Sequence, residues 1–522
     1  MTKKYLMTLA AAVCCAMTMA VLSACTEKED NPAGPDSPAD QAEYAILFYG
    51  YGGDNLDDCI LKNMVDFYNG KDESYKKVKI ACQYKYSSVE KMQENWLDNL
   101  VKDGDVDPAT AEQIKLTKEM ELQTIRFIVD NTVQDPDVNV MINKENIYGA
   151  KNCYVANPDS LTNFINWAAK TYPAKHYMLI LSDHGGGYVP HDELPEEVAA
   201  TRGVNYDDGN DFKHFTALSL KRALSNAAVH MQTIYMDACL MNAIEYQYEL
   251  KDLADYLILS TFVVPGYGGH YDYLVDLLAT YPDDIETALS EYNRQVVSFW
   301  DEAMKQWVKN NYHDMSVIRT AALDAFGQNW KLFTDKLIAA YQSGDETVKQ
   351  KINKVTEYIP RVCNSQPEFD LGDYYEGIHR IAPEVIDDAF YAELDESYKR
   401  TVVSKHNSEF LEKYGLIIDC SILVCTLGHY NCCNYEKDDN GDYQFSYFLT
   451  FYPDGSLYML DHDTQTMKPN GTWGGTLEST YQQLAFDRAT GWSRWLMINE
   501  QEPPYYSYAD FNIDLPDLLN LK

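Results

Sequence analysis

The strongest constraint on the fold is a pair of short apolar runs. His176–Ser182 ends in Asp183-His184-Gly185-Gly186-Gly187, and Met231–Met236 ends in Asp237-Ala238-Cys239. Unbroken apolar runs of this length suit strands covered on both faces, as in a parallel sheet. Between them, Thr216–Val229 carries Leu218, Leu220, Ala223, Leu224, Ala227 and Ala228, which share one helical face. Strand, helix, strand makes a crossover unit whose parallel strands finish on the same edge of the sheet. Reacting groups and ligands of open α/β sheets collect at that C-terminal edge. His184 and Cys239 are therefore expected on one rim.

A histidine or a cysteine alone at a strand end is ordinarily packing. Together, beside glycines, they have the makings of a thiol nucleophile and its proton-transfer partner. Gly185-Gly186-Gly187 lets the backbone turn sharply and approach a bound chain. An N–H near His184, together with the N–H of Cys239, would hold an oxyanion. Met241–Leu250 has a helical pattern, which predicts Cys239 near a helix N-terminus, where the thiolate is favoured.

The same residues resemble the clostripain family, C11, of caspase-like cysteine endopeptidases. Leu181–Tyr188 (LSDHGGGY) is similar to its histidine motif and Asp237–Asn242 (DACLMN) to its cysteine motif. Tyr49–Asp57, Ser160–Tyr172, Tyr248–Tyr256 and Pro265–Gly269 resemble the segments around them, so the likeness runs from about Tyr44 to Leu274. It implies an α/β fold: a caspase-like α/β/α sandwich with a mainly parallel central sheet. It implies Cys239 as nucleophile, His184 as its dyad partner, and Gly185 with the Cys239 amide as the oxyanion hole. It also implies acidic groups that favour Arg or Lys before the cut bond. Asp237 matches one of them. The family's Pro-Gly-Asp-Gly is Pro265-Gly266-Tyr267-Gly268 here, so the second acid is missing, and the acids common after Ser260 are replaced by Thr261-Phe262-Val263-Val264. A less negative, more aromatic substrate-binding pocket formed with Asp237 and Tyr267 is expected. The alternative to an endopeptidase is a catalytically poor surface-binding lipoprotein that kept the clostripain fold.

Lys3 and Lys4 precede an apolar run from Leu6 to Val21, which reads as an export signal. It closes in Leu22-Ser23-Ala24-Cys25, which resembles a bacterial lipobox and implies lipidation of Cys25. Residues 26–41, rich in Pro, Asp, Glu and Ser, read as a solvated tether. The expected address is the bacterial cell envelope, as an outer membrane lipoprotein facing the periplasm or the cell surface, with membrane contact only through the lipid. A formal net charge of −37 argues against nucleic acid as a partner. The expected partner is a peptide or protein substrate, and the expected state a monomer.

His184 and His191 lack the spacing of a helical zinc motif. No metal ligand is assigned and no cofactor is required, with calcium kept open through Asp207–Asp211 and Asp438–Asp442, which superficially resemble calcium loops. Of the 12 cysteines, Cys420, Cys425, Cys432 and Cys433 are the plausible disulfide cluster in an exported chain, with no pairing readable.

The pattern divides the chain into a signal peptide over 1–24, a tether over 25–42, a caspase-like core over 43–282, a mostly helical extension over 283–414 and a β-rich C-terminal subdomain over 415–522. Further strands are expected at Tyr44–Tyr49, Val78–Tyr86 and Leu122–Val129, with helices near Asn55–Tyr68, Ile285–Val308 and Thr320–Tyr341. Tyr443–Tyr452 and Leu457–Leu460, flanking Pro453-Asp454-Gly455-Ser456, read as a hairpin. Lys144 and Lys151 are candidate self-cleavage sites only if basic specificity holds, and ordinary exposed lysines are the better reading.

Overall fold

A computed structural model describes residues 41–51, 56–86, 120–133, 136, 138–187, 204–207, 213–305, 313–358, 368–409, 423–425, 430–437, 443–451, 456–461, 466–472 and 481–498. Its strands in chain order begin with β1 (Ala42–Tyr51), β2 (Val78–Lys85), β3 (Thr124–Ile128), β4 (Ile147–Tyr148) and β5 (Ala174–Ser182). They continue with β6 (Val204–Asp207), β7 (Lys213–Phe215), β8 (Met231–Asp237), β9 (Ala254–Leu259), β10 (Asp314–Arg319), β11 (Glu368–Asp370) and β12 (Val402–Asn407).

Nine of these form one sheet in the order β12-β10-β9-β8-β5-β1-β2-β3-β4. The five central strands β9, β8, β5, β1 and β2 run parallel. Antiparallel strands close both flanks, β10 and β12 on one side and β3 and β4 on the other. The mixed α/β architecture with a mainly parallel sheet is the expected one. The antiparallel flank β10–β12 departs from the sequence pattern. It comes from the stretch expected to be mostly helical, and it extends the central sheet.

Side-chain alternation along β1 shows why the sheet is covered twice. Ala45, Leu47 and Tyr49 pack with Leu161, Phe164, Ile165 and Ala168 of the helix Pro158–Thr171. Tyr44, Ile46 and Phe48 face the other way, against the helices Asp57–Val65, Tyr271–Thr280 and Ile285–Met304. Burying each such Leu, Ile or Phe contributes roughly 1.5–3 kcal/mol, so the two faces rather than any one contact hold the sheet in register. The crossover helix is Ala217–Ser225, started by Thr216, whose hydroxyl accepts from the Ser219 amide in a capping box.

The long helix Leu323–Tyr341 anchors the chain's end. Trp330 packs on Trp492, with ring centroids 5.1 Å apart, and Tyr481 donates its hydroxyl to Glu245 at 2.6 Å. Trp492 and Trp495 are buried and so are core rather than a binding surface. Between these anchors, Tyr430–Lys437, Tyr443–Phe451, Ser456–Asp461 and Thr466–Thr472 form a separate four-stranded antiparallel sheet that contains the expected hairpin. Among the described residues, no helix is long and apolar enough to cross a membrane.

Candidate active site

The parallel register of β5 and β8 pairs Ser182 with Asp237. His184 and Cys239 each lie two residues beyond that pair, so neighbouring strands release the two segments at one rim. Gly185 then lies directly on the cysteine turn. A Cβ at Gly185 would sit 2.1 Å from the Cys239 carbonyl oxygen, 2.7 Å from its amide nitrogen and 2.9 Å from the Ala238 Cβ. Only glycine fits so close an approach of two backbones. The histidine and cysteine motifs, read separately in the sequence, are thus packed one against the other.

His184 is largely buried, and loss of hydration pushes its imidazole below its ordinary pKa, which favours the neutral ring at neutral pH. Its backbone N–H donates to the Asp183 carboxylate at 2.5 Å. Cys239 is a partly buried free thiol. The Val264 N–H points at its sulfur, N to Sγ 3.3 Å, and the Val264 carbonyl oxygen lies 3.9 Å from the same sulfur. The predicted helix dipole is not what the sulfur receives. The helix starts at Ile244, and Leu240, directly after the cysteine, has the left-handed φ of 63°. The chain turns sharply before any helix begins, and an N–H that faces the sulfur comes from Val264, a residue with no such signal in the sequence.

The strand ends at Asp237, so no strand alternation relates the direction of its side chain to that of Cys239. Its carboxylate is buried and accepts a hydrogen bond from Tyr271. Burial pushes its pKa up to about 6, opposed by hydrogen bonds from Tyr271, Tyr235 and the Gly269 amide.

The loop holding Tyr267 is clamped from three sides. Trp300 donates its indole N–H to the Gly268 carbonyl at 2.8 Å, and Tyr292 donates to the Gly269 carbonyl. Gly268 has φ of +66°, and a Cβ there would collide with Asn63 Nδ2 at 1.8 Å. Tyr267 itself is 39 % exposed, edge-on to Phe299 with centroids 6.1 Å apart. Val263, at 47 % exposure, is the other apolar side chain this region offers to solvent.

Among the described residues, Asp66, His270 and Asp272 are the one group whose ligand atoms all lie within 4.8 Å of one another. Burial first, eased by His270 and worsened by Asp272, pushes Asp66 up to about 6. Lys144 and Lys151 are exposed. Cys25 and tether residues 26–40, His191, residues 208–211 and 438–442, and the side chains of Asp207, Cys420, Cys425, Cys432 and Cys433 lie outside the described residues, while Ala42 already belongs to β1.

A doubly covered parallel sheet with flanking antiparallel strands, carrying a thiol and an imidazole at the ends of adjacent central strands, is a caspase-like α/β protein. The model of the clostripain family, peptidase family C11, matches residues 52–494, and the chain belongs to that family. Clostripain of Hathewaya histolytica is 30 % identical over 131 residues, which cover 23 % of this chain and 24 % of that protein, so the match spans about a quarter of the relative's length. A secreted C11 cysteine protease of Bacteroides thetaiotaomicron, "iotapain", superposes with a TM-score of 0.50 at 18 % identity, covering 74 % of this chain and 93 % of that one. A secreted C11 cysteine protease from the same organism, in complex with an irreversible peptide inhibitor, gives 0.51 at 18 % identity, over 86 % and 99 % of the two chains. These two structures share the fold.

Proposed function

We propose that this chain is a cysteine endopeptidase. Cys239 Sγ attacks the scissile carbonyl carbon as its proton passes to the neutral imidazole of His184. The carbonyl oxygen takes up the electron pair and is held by the Gly185 and Cys239 amides. As the C–N bond breaks, His184 gives a proton to the leaving amine, and water then cleaves the acyl-sulfur bond. The observation that carries this reading is the seating of Gly185 on the Cys239 backbone, which fixes both halves of the site at one place.

Labelling by an acyloxymethyl-ketone peptide tests it. The expected result is modification of Cys239, lost in Cys239→Ala and strongly slowed in His184→Ala. An inert thiol in the folded parent rejects it and leaves the binding lipoprotein. For specificity, a weakened preference for a basic residue, or an uncharged one, before the cut bond is proposed, because Asp237 is buried with Tyr271 on one of its oxygens and Tyr267 replaces the second acid. A fluorogenic library with at least tenfold faster cleavage after Arg or Lys than after any other residue overturns that.

The lipobox-like segment supports anchoring through Cys25 in the cell envelope, with a peptide or protein as substrate. Palmitate labelling lost in Cys25→Ala is the check. Calcium is proposed as an optional ligand, read by a chelator-sensitive melting temperature, and the monomeric state is read by light scattering.

A further inference from the structure

We infer that Asp314 is a positioning residue for the Cys239 nucleophile, an assignment that rests on the endopeptidase reading above. It lies 75 positions from the cysteine in sequence (314 less 239), and nothing local marks it. Its placement follows from strand sense. β10 runs antiparallel to β9, with Ser316 opposite Leu259, so the beginning of β10 arrives where β9 ends. That is the rim at which β5 and β8 also finish.

The Asp314 side chain is fully buried, and a single carboxylate oxygen gathers the turn that follows β9. Oδ1 accepts from the Thr261 amide at 2.9 Å and the Phe262 amide at 2.9 Å, and the Ser260 hydroxyl lies 3.0 Å from it, 2.9 Å from the Asp314 carbonyl oxygen and 3.1 Å from the Phe262 carbonyl oxygen. Two consecutive backbone N–H groups aimed at one oxygen fix the direction in which residues 262–264 leave the sheet. Burial raises the Asp314 pKa, while the Phe262 amide, Lys405 across the sheet, Ser260 and Thr261 favour the carboxylate.

The fixed turn in turn holds the cysteine. Leu240 donates its N–H to the Phe262 carbonyl at 3.0 Å, and Asn242 donates to the Ser260 carbonyl at 3.0 Å. The Asn242 side chain reaches the Thr261 hydroxyl at 3.1 Å. Leu240 is held in the left-handed region, a conformation that a leucine keeps only where its surroundings insist. Val264, two residues past the Asp314-bound amide of Phe262, brings its N–H to the sulfur. Asp314 touches neither the thiol nor a substrate. It sets the rotation of the Cys239 turn and the N–H facing its sulfur by tying down the loop that supplies both.

Steady-state kinetics, with alkylation of Cys239 by iodoacetamide followed by peptide mass spectrometry, tests the assignment. In Asp314→Ala the loop loses its shared acceptor, and kcat is expected to fall at least about 100-fold with KM changed less than threefold, a displacement penalty of ordinary size. Asp314→Asn keeps an acceptor oxygen in place and is expected to restore kcat to within about tenfold of the parent. Ser260→Ala, which removes one donor and leaves the fold intact, is expected to lower kcat about threefold to tenfold and to slow alkylation of Cys239. Unchanged kcat and unchanged alkylation in Ser260→Ala overturn the proposal even if the alanine variant at 314 does not fold. So does an Asp314→Asn enzyme as impaired as Asp314→Ala. If the folded parent cleaves no peptide, the endopeptidase reading fails. The alkylation rates still decide the positioning role, with equal rates in parent, Ser260→Ala and Asp314→Asn rejecting it.

Discussion

The rim that carries His184 and Cys239 has two sides built on different physics. On one side, the ends of β5 and β8 meet through a close backbone approach, glycine against the cysteine turn. On the other, the loop 260–264 after β9 is organised by a buried carboxylate at the start of an antiparallel strand. The first side is set by the register of two paired parallel strands. The second is assembled by groups that meet only when the flank of the sheet has docked. The reacting atoms thus lie where strand topology puts them, while their fine orientation depends on a polar anchor outside the parallel core.

The most drastic test of the first side is removal of the sulfur. Cys239→Ala is expected to lower peptide hydrolysis by ~10⁴-fold or more, measured as kcat/KM, with an unchanged melting curve. Gly185→Ala comes next. The added methyl would meet the Cys239 carbonyl oxygen at 2.1 Å, so the two turns must move apart. A loss of about 100-fold in kcat is expected, with a lowered melting temperature. A fully active Gly185→Ala enzyme would show that the two turns are not rigidly paired, and the contrast between the two sides would lose its basis.

Two buried carboxylates sharpen the comparison, Asp314 gathering amides and Asp237 accepting the Tyr271 hydroxyl. Asp237 has its pKa raised from an ordinary carboxylate value to about 6, so the folded state holds a proton that the unfolded chain releases between about pH 4 and 6. Stability from this group is therefore present below pH 4 and is lost as pH rises through 6. Asp237→Asn removes that loss. Its stability relative to the parent is expected to rise by about 2–3 kcal/mol between pH 4 and pH 7 in urea titrations, because each tenfold difference in proton affinity between the folded and unfolded chain is worth about 1.4 kcal/mol. A flat difference across that range would mean that Asp237 is ionised at no cost.

His184 sets the acid limb of activity. Burial lowers its pKa, so kcat/KM is expected to climb with pH through a midpoint below 6.5 and to lose that limb in His184→Ala. The smallest effect is assigned to Tyr267. It is exposed and edge-on to Phe299, and Tyr267→Asp is expected to improve cleavage after Arg by about tenfold or less without altering stability. The fluorogenic library reads this directly.

Much of the site was legible because its parts adjoin strand ends. The apolar runs at His176–Ser182 and Met231–Met236 became β5 and β8 almost unchanged. The apolar face of the crossover helix after Thr216 was readable for the same reason, since it is local. The strands β10 (DMSVIR) and β12 (VVSKHN) were not legible. They are short, mix polar with apolar residues and lie between long helices, so periodicity offers little there. The helix after Cys239 starts later than its pattern implies, because nothing in that pattern reveals that Leu240 adopts a left-handed turn. Tyr271 lies four residues past Tyr267 with no mark of the hydrogen bond it gives to Asp237.

The sequence by itself determined that an imidazole and a thiol would leave adjacent parallel strands at the same edge. That follows from two apolar runs joined by one amphipathic helix, because crossovers of this kind have one handedness and strand ends are covalently tied to what comes next. Only the tertiary structure decided what surrounds the sulfur. Val264 faces it from a loop that Asp314 ties down once the antiparallel flank has docked, and hydrogen bonds between residues so far apart in the chain are set by sheet register, which no local pattern encodes.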